Sequence, residues 1–251
     1  GETEVFSMPL HLSGGVRYTK TELTSSGTSR VLVALEREQQ EEGRPPSPWL
    51  VPEYADEAGT NIARNNDYDN WLPSFNARLE VTEDFYVRAA YSETLTRPTL
   101  SSLVPQTTYG TTTTTTRTAR GGNPNLKPFV SENFDLSFEY YYGDSNLVSL
   151  ALYKKEIEDF IVTMSLPETF EGITAEDPSW SEFMVTRPQN GESATIEGAE
   201  INWTHVFENG FGFSGNYTFV NSNASLSAAG STATFALPGI SDTGNATVFY
   251  D

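Results

Sequence analysis

The sequence contains no cysteine and only two histidines, His11 and His205, in 251 residues. Without cysteine the chain has no disulfide framework and no thiolate metal site. Neither histidine has a partner at a metal-ligand spacing, and the G-x-S-x-G, P-loop and H-E-x-x-H motifs are missing. The many acidic residues form carboxylate pairs by chance, so composition alone does not exclude a glycosidase, but no motif supports one. We therefore expect no enzyme activity, metal or cofactor.

Basic charge and long apolar runs are also scarce. The chain has 15 Lys and Arg against 34 Asp and Glu, which gives a net charge of −19. No basic run occurs, and a nucleic-acid partner would need clustered Lys and Arg to bind phosphates. No apolar run is long enough for a transmembrane helix. These absences exclude a nucleic-acid partner and a helical membrane anchor.

Alternation of apolar and polar residues is the main positive signal, and it is clearest in Leu72 to Thr96. Apolar residues at every second position place one apolar and one polar face on a strand. The stretch therefore reads as two long strands around a turn at Glu83-Asp84. Strands of ten or more residues with charges at mid-strand favour a membrane barrel over a soluble sandwich. The apolar positions of this hairpin are Phe75, Ala77, Leu79, Val81, Phe85, Val87, Ala89 and Tyr91.

The rest of the chain repeats this organisation. Further long strands are predicted at residues 12–24, 129–142, 146–160 and 193–221, the last range being a hairpin, and another begins at Asn245. Short turns alternate with long excursions, which cover residues 25–67, 97–128, 161–192 and 222–242. Aromatic residues flank the short turns, as in the girdles of outer-membrane barrels. We predict an all-β fold, an antiparallel transmembrane β-barrel fragment with about eight long strands and long extracellular loops.

Several segments carry a resemblance to a known family. They are YDNWLPSFNARLEVTEDFYVRAAYSETLTRP (68–98), GNPNLKP (122–128), IEGAEINW (196–203) and ALPGISDTGNATVFYD (236–251). In this order they resemble the barrel of TonB-dependent outer-membrane receptors, in particular the large proteobacterial nutrient-uptake type. The resemblance implies that residues 1–251 are part of a 22-stranded barrel domain. It also implies that the plug domain and the closing C-terminal strands are absent from this fragment.

The resemblance implies a function as well. Such receptors take up a scarce nutrient actively, and the expected ligand is an oligosaccharide or an iron–siderophore. Expected partners are outer-membrane lipid and lipopolysaccharide, the small-molecule ligand, and the TonB inner-membrane energy-coupling complex, which acts through the plug. The expected location is the bacterial outer membrane. A secreted soluble β-protein, such as a carbohydrate-binding module or adhesin, and a passive porin-like barrel remain alternatives.

Candidate site residues lie in the long loops and on the polar strand faces. Aromatic rings stack on sugars and guanidinium groups bind carboxylates or phosphates, so the substrate-binding candidates are Trp180, Tyr109, Arg97, Arg117 and Arg120. The alternative is that these residues close the loops or meet lipopolysaccharide phosphate. The lumen-facing candidates are Arg78, Glu80, Arg88 and Glu139, which could equally balance one another across strands. The six threonines 111–116 are expected to form a mobile loop tip.

Overall fold

A computed structural model describes residues 1–191, 193–228, 231–235 and 241–250. These residues form β-strands and two single-turn 3-10 helices, at Leu100–Leu103 and Pro178–Ser181. In chain order the strands are β1 (Glu2–Val5), β2 (Met8–Ser29), β3 (Leu32–Arg37), β4 (Leu50–Tyr54), β5 (Thr60–Glu80), β6 (Phe85–Thr96), β7 (Thr107–Thr112), β8 (Arg117–Gly121), β9 (Phe129–Tyr142), β10 (Asn146–Glu158), β11 (Ile161–Thr169), β12 (Thr174–Ala175), β13 (Glu182–Asn190), β14 (Ser193–Val206), β15 (Phe211–Ala228), β16 (Ser231–Phe235) and β17 (Thr243–Tyr250).

The principal sheet is antiparallel and has the order β1-β2-β5-β6-β9-β10-β14-β15-β16, with β17 also paired to β15. Its long members are β2, β5, β6, β9, β10, β14, β15 and β17, which confirms the prediction of about eight long strands in an all-β barrel fragment. β16 pairs with the end of β15 at residues 224–228, and β17 pairs with its beginning at 211–218. Over the described residues the sheet is an open wall with two edges.

Short turns and long connections alternate along this wall, as the sequence predicts. The short turns lie at residues 6–7, 81–84, 143–145 and 207–210, and Gly143 and Gly210 adopt positive φ angles of 61° and 84°. Glycine is favoured at such positions because it has no Cβ to clash. The first long connection is shorter than expected, because β2 continues to Ser29 and β5 begins at Thr60. The two strands extend the wall well past their neighbours.

The strand register aligns the apolar residues of all eight long strands on one face. Across β5 and β6, Phe75 faces Tyr91 and Ala77 faces Ala89; on the next strand Leu136 faces Ala89. Many of these side chains are exposed although they are large, which soluble proteins avoid over a contiguous surface. They include Val16, Tyr18, Trp71, Phe75, Phe134, Tyr140, Leu152, Ile201, Trp203, Phe211, Tyr217, Phe219, Val248 and Tyr250. The principal sheet therefore has an apolar outer surface and buries no core of its own there.

The height of this apolar surface matches a bilayer. From Trp71 to Leu79 on β5, eight steps of about 3.4 Å give about 27 Å along the strand. At a strand tilt of about 40° this is about 21 Å across the membrane, close to the ~25 Å apolar band of outer-membrane barrels. Among the described residues, no helix is long and apolar enough to cross a membrane.

Candidate functional site

The polar face of the principal sheet carries a cluster of charged side chains near the short turns. Arg88 donates from Nε and Nη2 to the two carboxylate oxygens of Glu139, at 2.8 and 3.2 Å. Arg78 donates to Glu80 at 2.6 Å, and Glu80 also lies 3.1 Å from Nε2 of His11. The register places all five on one face, so the structure brings together the four charged residues that were predicted to share it.

Two arginines of this cluster stand directly opposite each other. Arg78 pairs with Arg88 across β5 and β6, an arrangement that repels unless each charge is compensated. A cavity of about 490 Å³ is lined by both arginines and by Asp135 and Ser137 of β9. The cavity is thus mixed in charge, and each guanidinium group already has a carboxylate partner.

Three of the long connections fold together into what we call the loop body, made of loop 1 (30–59), loop 2 (97–128) and loop 3 (159–191). β12 of loop 3 pairs in parallel with β3 of loop 1, and β11 and β13 of loop 3 form one sheet with β8 and β7 of loop 2. Loops 1 and 2 join through a bridge between Trp49 and Thr113 and a hydrogen bond from Thr112 Oγ1 to the Leu50 carbonyl oxygen at 3.1 Å. All three loops therefore depend on one another for their shape.

The loop body has its own hydrophobic core, the largest one in the described chain. It contains Leu32, Leu35, Leu50, Ala119, Trp180, Phe183 and Val185. The principal sheet contributes none of these residues, since its apolar face points outward. The best-buried part of the molecule therefore lies in segments that were predicted to be long excursions between the strands.

The loop body lies over the polar face of the wall. Ser29, whose position in β2 places it on that face, donates to the Thr107 carbonyl oxygen at 3.3 Å and accepts from the Thr107 backbone N–H at 3.0 Å. Asn66 of β5 donates to the Leu126 carbonyl oxygen at 3.0 Å. A Cβ at Gly27 would lie 3.2 Å from the Val104 side chain. Loop 2 thus folds inward along the ends of β2 and β5.

Two aromatic candidates, Trp180 and Tyr109, belong to the interior of the loop body. Trp180 is only 3% exposed, and the guanidinium carbon of Arg37 lies 5.4 Å from its ring centroid. Tyr109 packs at ring-centroid distances of 5.5 Å from Phe183 and 5.6 Å from Phe170. Burial raises the pKa of the Tyr109 phenol. Both rings are occupied by intramolecular packing.

The 3-10 turn that carries Trp180 is capped by Asp177. The Asp177 carboxylate accepts a hydrogen bond from the Ser179 backbone N–H at 2.9 Å. This hydrogen bond to the ionised form holds the pKa of Asp177 below its usual value. The cap fixes the entry of the turn and so the placement of the indole.

The candidate Arg117 is fully engaged with loop backbone. It donates to the carbonyl oxygens of Thr113, Thr114, Ser179 and Glu182 at 2.9, 2.8, 3.2 and 2.9 Å. These bonds join loop 2 to loop 3 and hold the threonine run 111–116. The run was expected to be a mobile tip, but Thr112 is buried and hydrogen-bonded to loop 1 instead.

The remaining two candidates, Arg97 and Arg120, have exposed side chains. Arg97 donates from Nε and Nη2 to Thr21 Oγ1 at 3.3 and 3.0 Å, which holds it against the polar face of β2. The Arg120 side chain makes no hydrogen bond or ion pair with any described residue. The structure therefore places Trp180, Tyr109 and Arg117 within the loop body, and Arg97 and Arg120 at separate points on its surface.

Polar residues of β11 and β13 lie beside Arg120, and they were not among the residues predicted from the sequence. Ser165 faces Thr186 across these strands, and Thr186 is in register with Arg120. The signal that could have identified them is the alternation in IVTMSLPET (161–169) and EFMVTRPQN (182–190).

Comparison with known proteins agrees with this geometry. A family model described as TonB dependent receptor-like, beta-barrel matches residues 4–249. No curated protein sequence matches the chain. Among solved structures, the chain is similar to the hemophore receptor HasR of Serratia marcescens, with a TM-score of 0.60 and 13% identity over 96% of this chain and 39% of HasR.

Two receptors of Pseudomonas aeruginosa are also similar. The ferric enterobactin receptor PfeA has a TM-score of 0.55 at 17% identity, over 98% of this chain and 44% of PfeA. The siderophore receptor PirA has a TM-score of 0.50 at 18% identity, over 98% of this chain and 48% of PirA. The chain therefore spans less than half the length of these receptors. It belongs to the family of TonB-dependent receptor-like β-barrels.

Proposed function

We propose that this chain forms part of the wall and outer vestibule of an outer-membrane receptor that takes up a scarce nutrient by TonB-energised transport. The observation that carries the proposal is the difference in polarity between the two faces of the principal sheet. One face exposes a continuous apolar band, and the other bears charged residues and is covered by the loop body. Family membership is the second support.

In this proposal residues 1–251 belong to a barrel domain, and the plug and remaining strands would be supplied by other parts of a longer receptor. The apolar band would contact lipid, and the loop body would meet lipopolysaccharide and ligand outside the cell. Arg78, Glu80, Arg88 and Glu139 would face the lumen. Energy coupling to the TonB complex would act through the plug.

The five loop candidates divide into two roles. Arg97 and Arg120 would contact ligand directly, because their guanidinium groups are exposed. The other three candidates would act indirectly, by holding the loop body in the shape that presents those two arginines to the ligand. They are Trp180, Tyr109 and Arg117. Changing these three should therefore weaken ligand binding through loop disorder while the barrel wall still assembles.

The ligand class expected from the sequence was an oligosaccharide or an iron–siderophore. The structural relatives bind heme with a hemophore in the case of HasR, and enterobactin in the case of PfeA. At identities of 13% and 17% they support the fold of this chain without choosing its ligand.

The test uses cells that express the whole receptor. An antibody against residues 97–128 should detect an outer-membrane protein well above 27.7 kDa, and protease added to intact cells should remove the epitope. Nutrient-limited growth should depend on the receptor and on TonB. Growth that depends on the receptor but survives loss of TonB would indicate a passive pore, and a soluble band would refute the membrane assignment.

A further inference from the structure

The exposed face of the four-stranded sheet in the loop body carries one polar side chain from each strand in a single row. Ser165 faces Thr186, Thr186 is in register with Arg120, and Arg120 faces Thr108. All four residues are exposed, and the hydroxyl oxygens of Ser165 and Thr186 lie 2.6 Å apart. We call these four residues the Arg120 row.

The other face of the same strands explains why this row points outward. Val185, Ala119 and Tyr109 alternate with the row along β13, β8 and β7 and pack into the core of the loop body. The sheet is thus amphipathic, with one face committed to the core. Its second face carries the Arg120 row together with the exposed apolar side chain of Met184.

A cavity of about 400 Å³ adjoins the Arg120 row. Besides Arg120 and Thr108, its lining includes Ser101, Ser102, Gln106 and Thr163, which offer neutral donors and acceptors. Gly122 brings loop backbone close to this space, since a Cβ there would lie 2.8 Å from the Ser102 carbonyl oxygen. The row and the cavity form a continuous hydroxyl-rich surface.

The charge of this surface is unusual for the chain. Loop 2 carries Arg97, Arg117, Arg120 and Lys127 and no acidic residue, in a chain with 34 acidic residues. On the exposed face of the four strands the acidic residue is Glu182, four positions from Thr186 along β13, which corresponds to about 13 Å. The Arg120 guanidinium group has no hydrogen-bond or ion-pair partner among the described residues, whereas that of Arg117 binds four carbonyl oxygens.

From this placement we propose that the Arg120 row and its cavity bind a carboxylate-bearing saccharide. The planar guanidinium group of Arg120 matches a carboxylate through two parallel N–H···O bonds. The hydroxyls of Thr108, Thr186 and Ser165 can each donate and accept, as sugar hydroxyls do. A neutral saccharide would leave the guanidinium group unmatched, and a small inorganic anion would use Arg120 alone. The proposal rests on the proposed receptor function and narrows its ligand.

The test measures binding to the whole receptor in outer-membrane vesicles without an energy source. The probes are oligogalacturonate and oligomannuronate, each compared with its methyl ester, which keeps the hydroxyls and removes the charge. We expect at least one acid to bind at least roughly tenfold more tightly than its ester, because charge-assisted hydrogen bonds contribute more than neutral ones. Equal binding of acids and esters, or binding of neither acid, would overturn the proposal.

Variants then assign the effect to the row. Arg120→Gln should reduce affinity for the acid by about tenfold or more and leave the affinity for its ester nearly unchanged. Arg120→Lys keeps the charge but loses the fork, so its affinity should be intermediate. Lys127→Gln is the control, since it removes another loop 2 cation outside this sheet face. Unchanged acid binding in Arg120→Gln would rule out the row as the site.

The result is separable from the receptor function itself. If TonB-dependent growth on another nutrient is observed while Arg120→Gln behaves like the parent, the ligand assignment fails and the receptor function stands. If the protein does not reach the outer membrane, the receptor function fails first.

Discussion

Tyr153 lies directly opposite Gly198 across β10 and β14, and its phenol oxygen would stand 2.6 Å from a Cβ built on that glycine. The same Cβ would also meet the backbone carbonyl oxygen of Phe219 on β15. The tyrosine ring therefore fills space on the polar face that only glycine leaves open. Three strands approach one another closely at this point.

Gly198→Ala should destabilise the wall by about 1–3 kcal/mol, the range for forced overpacking. The Tyr153 side chain could move, but the Phe219 carbonyl belongs to the backbone of β15 that is paired with β14, so it cannot move independently. Gly15→Ala is the matched control, because Gly15 also lies within a wall strand and a Cβ there meets nothing within 4 Å. The measurement is the thermal unfolding midpoint of the purified receptor in detergent. Equal midpoints for both variants would contradict this reading of Gly198.

The wall could be predicted from sequence because its signals are local. Strict alternation defined β6 as Phe85–Thr96 and β9 as Phe129–Tyr142, and both ranges are found in the structure. Each of these strands pairs with its neighbour through a short turn or in a register fixed by its apolar face. The alternation of apolar and polar residues therefore predicted both the positions of the strands and the face on which Arg78 and Glu139 lie.

The loop body could not be predicted in the same way. β13 pairs in parallel with β8 of another loop, and β12 pairs with β3 of a third. Such contacts join residues that are far apart in sequence, and no turn signal in the sequence predicts these strand pairings. Trp180 was a candidate ligand contact because it lies in a long loop and aromatic rings stack on sugars, whereas its burial arises from the packing of all three loops.

Trp180→Ala should disorder the loop body but spare the barrel wall. Truncating a buried aromatic residue costs about 3–5 kcal/mol, and the wall contributes no residue to this core. Cleavage of loop 2 by protease on intact cells should become faster, while the amount of assembled receptor stays the same. Trp71→Ala on the apolar outer surface is the control and should leave loop cleavage unchanged. Loss of assembled receptor in Trp180→Ala would show that wall and loops fold together.

The bidentate pair of Arg88 and Glu139 should contribute little energy despite its geometry. The Arg88 side chain is 44% exposed, and pairs that remain in contact with solvent contribute about 0.2–1 kcal/mol. A double-mutant cycle with Arg88→Met and Glu139→Gln, followed by thermal unfolding, should give a coupling in this range. A coupling of several kcal/mol would mean that the pair is shielded from water in the complete receptor.

The loop body should loosen at alkaline pH through Tyr109. Burial raises the pKa of this phenol in the folded state above its usual value of 10.0. The stabilisation from the neutral phenol is therefore fully present below pH 10 and is lost as pH rises through the raised pKa. Protease cleavage of loop 2 should accelerate above pH 10 in the parent protein. In Tyr109→Phe, whose side chain cannot ionise, the acceleration should begin at a higher pH. Identical pH profiles would show that Tyr109 does not limit loop stability.

A row of carboxylates on the outer surface should mark the outer edge of the apolar band. Glu93 faces Glu132 across β6 and β9, and Glu132 faces Glu156 across β9 and β10. Their strand positions put them on the same face as the apolar band, one step beyond Tyr91 and Phe134. A row of three carboxyl groups is not expected to lie in hydrocarbon, because burying polar or charged groups in a medium of low dielectric constant is too costly.

Single cysteines can locate this edge, since the chain contains none of its own. A fluorophore at Leu136→Cys should be quenched by lipid-attached quenchers, because Leu136 lies in the apolar band of β9. The same fluorophore at Glu132→Cys should respond to a water-soluble quencher instead. Four residues separate the two sites along β9, about 14 Å, which is enough to place them on opposite sides of the interface. If both labels responded to the lipid quencher alone, the carboxylate row would lie inside the bilayer, and the proposed position of the wall in the membrane would be wrong.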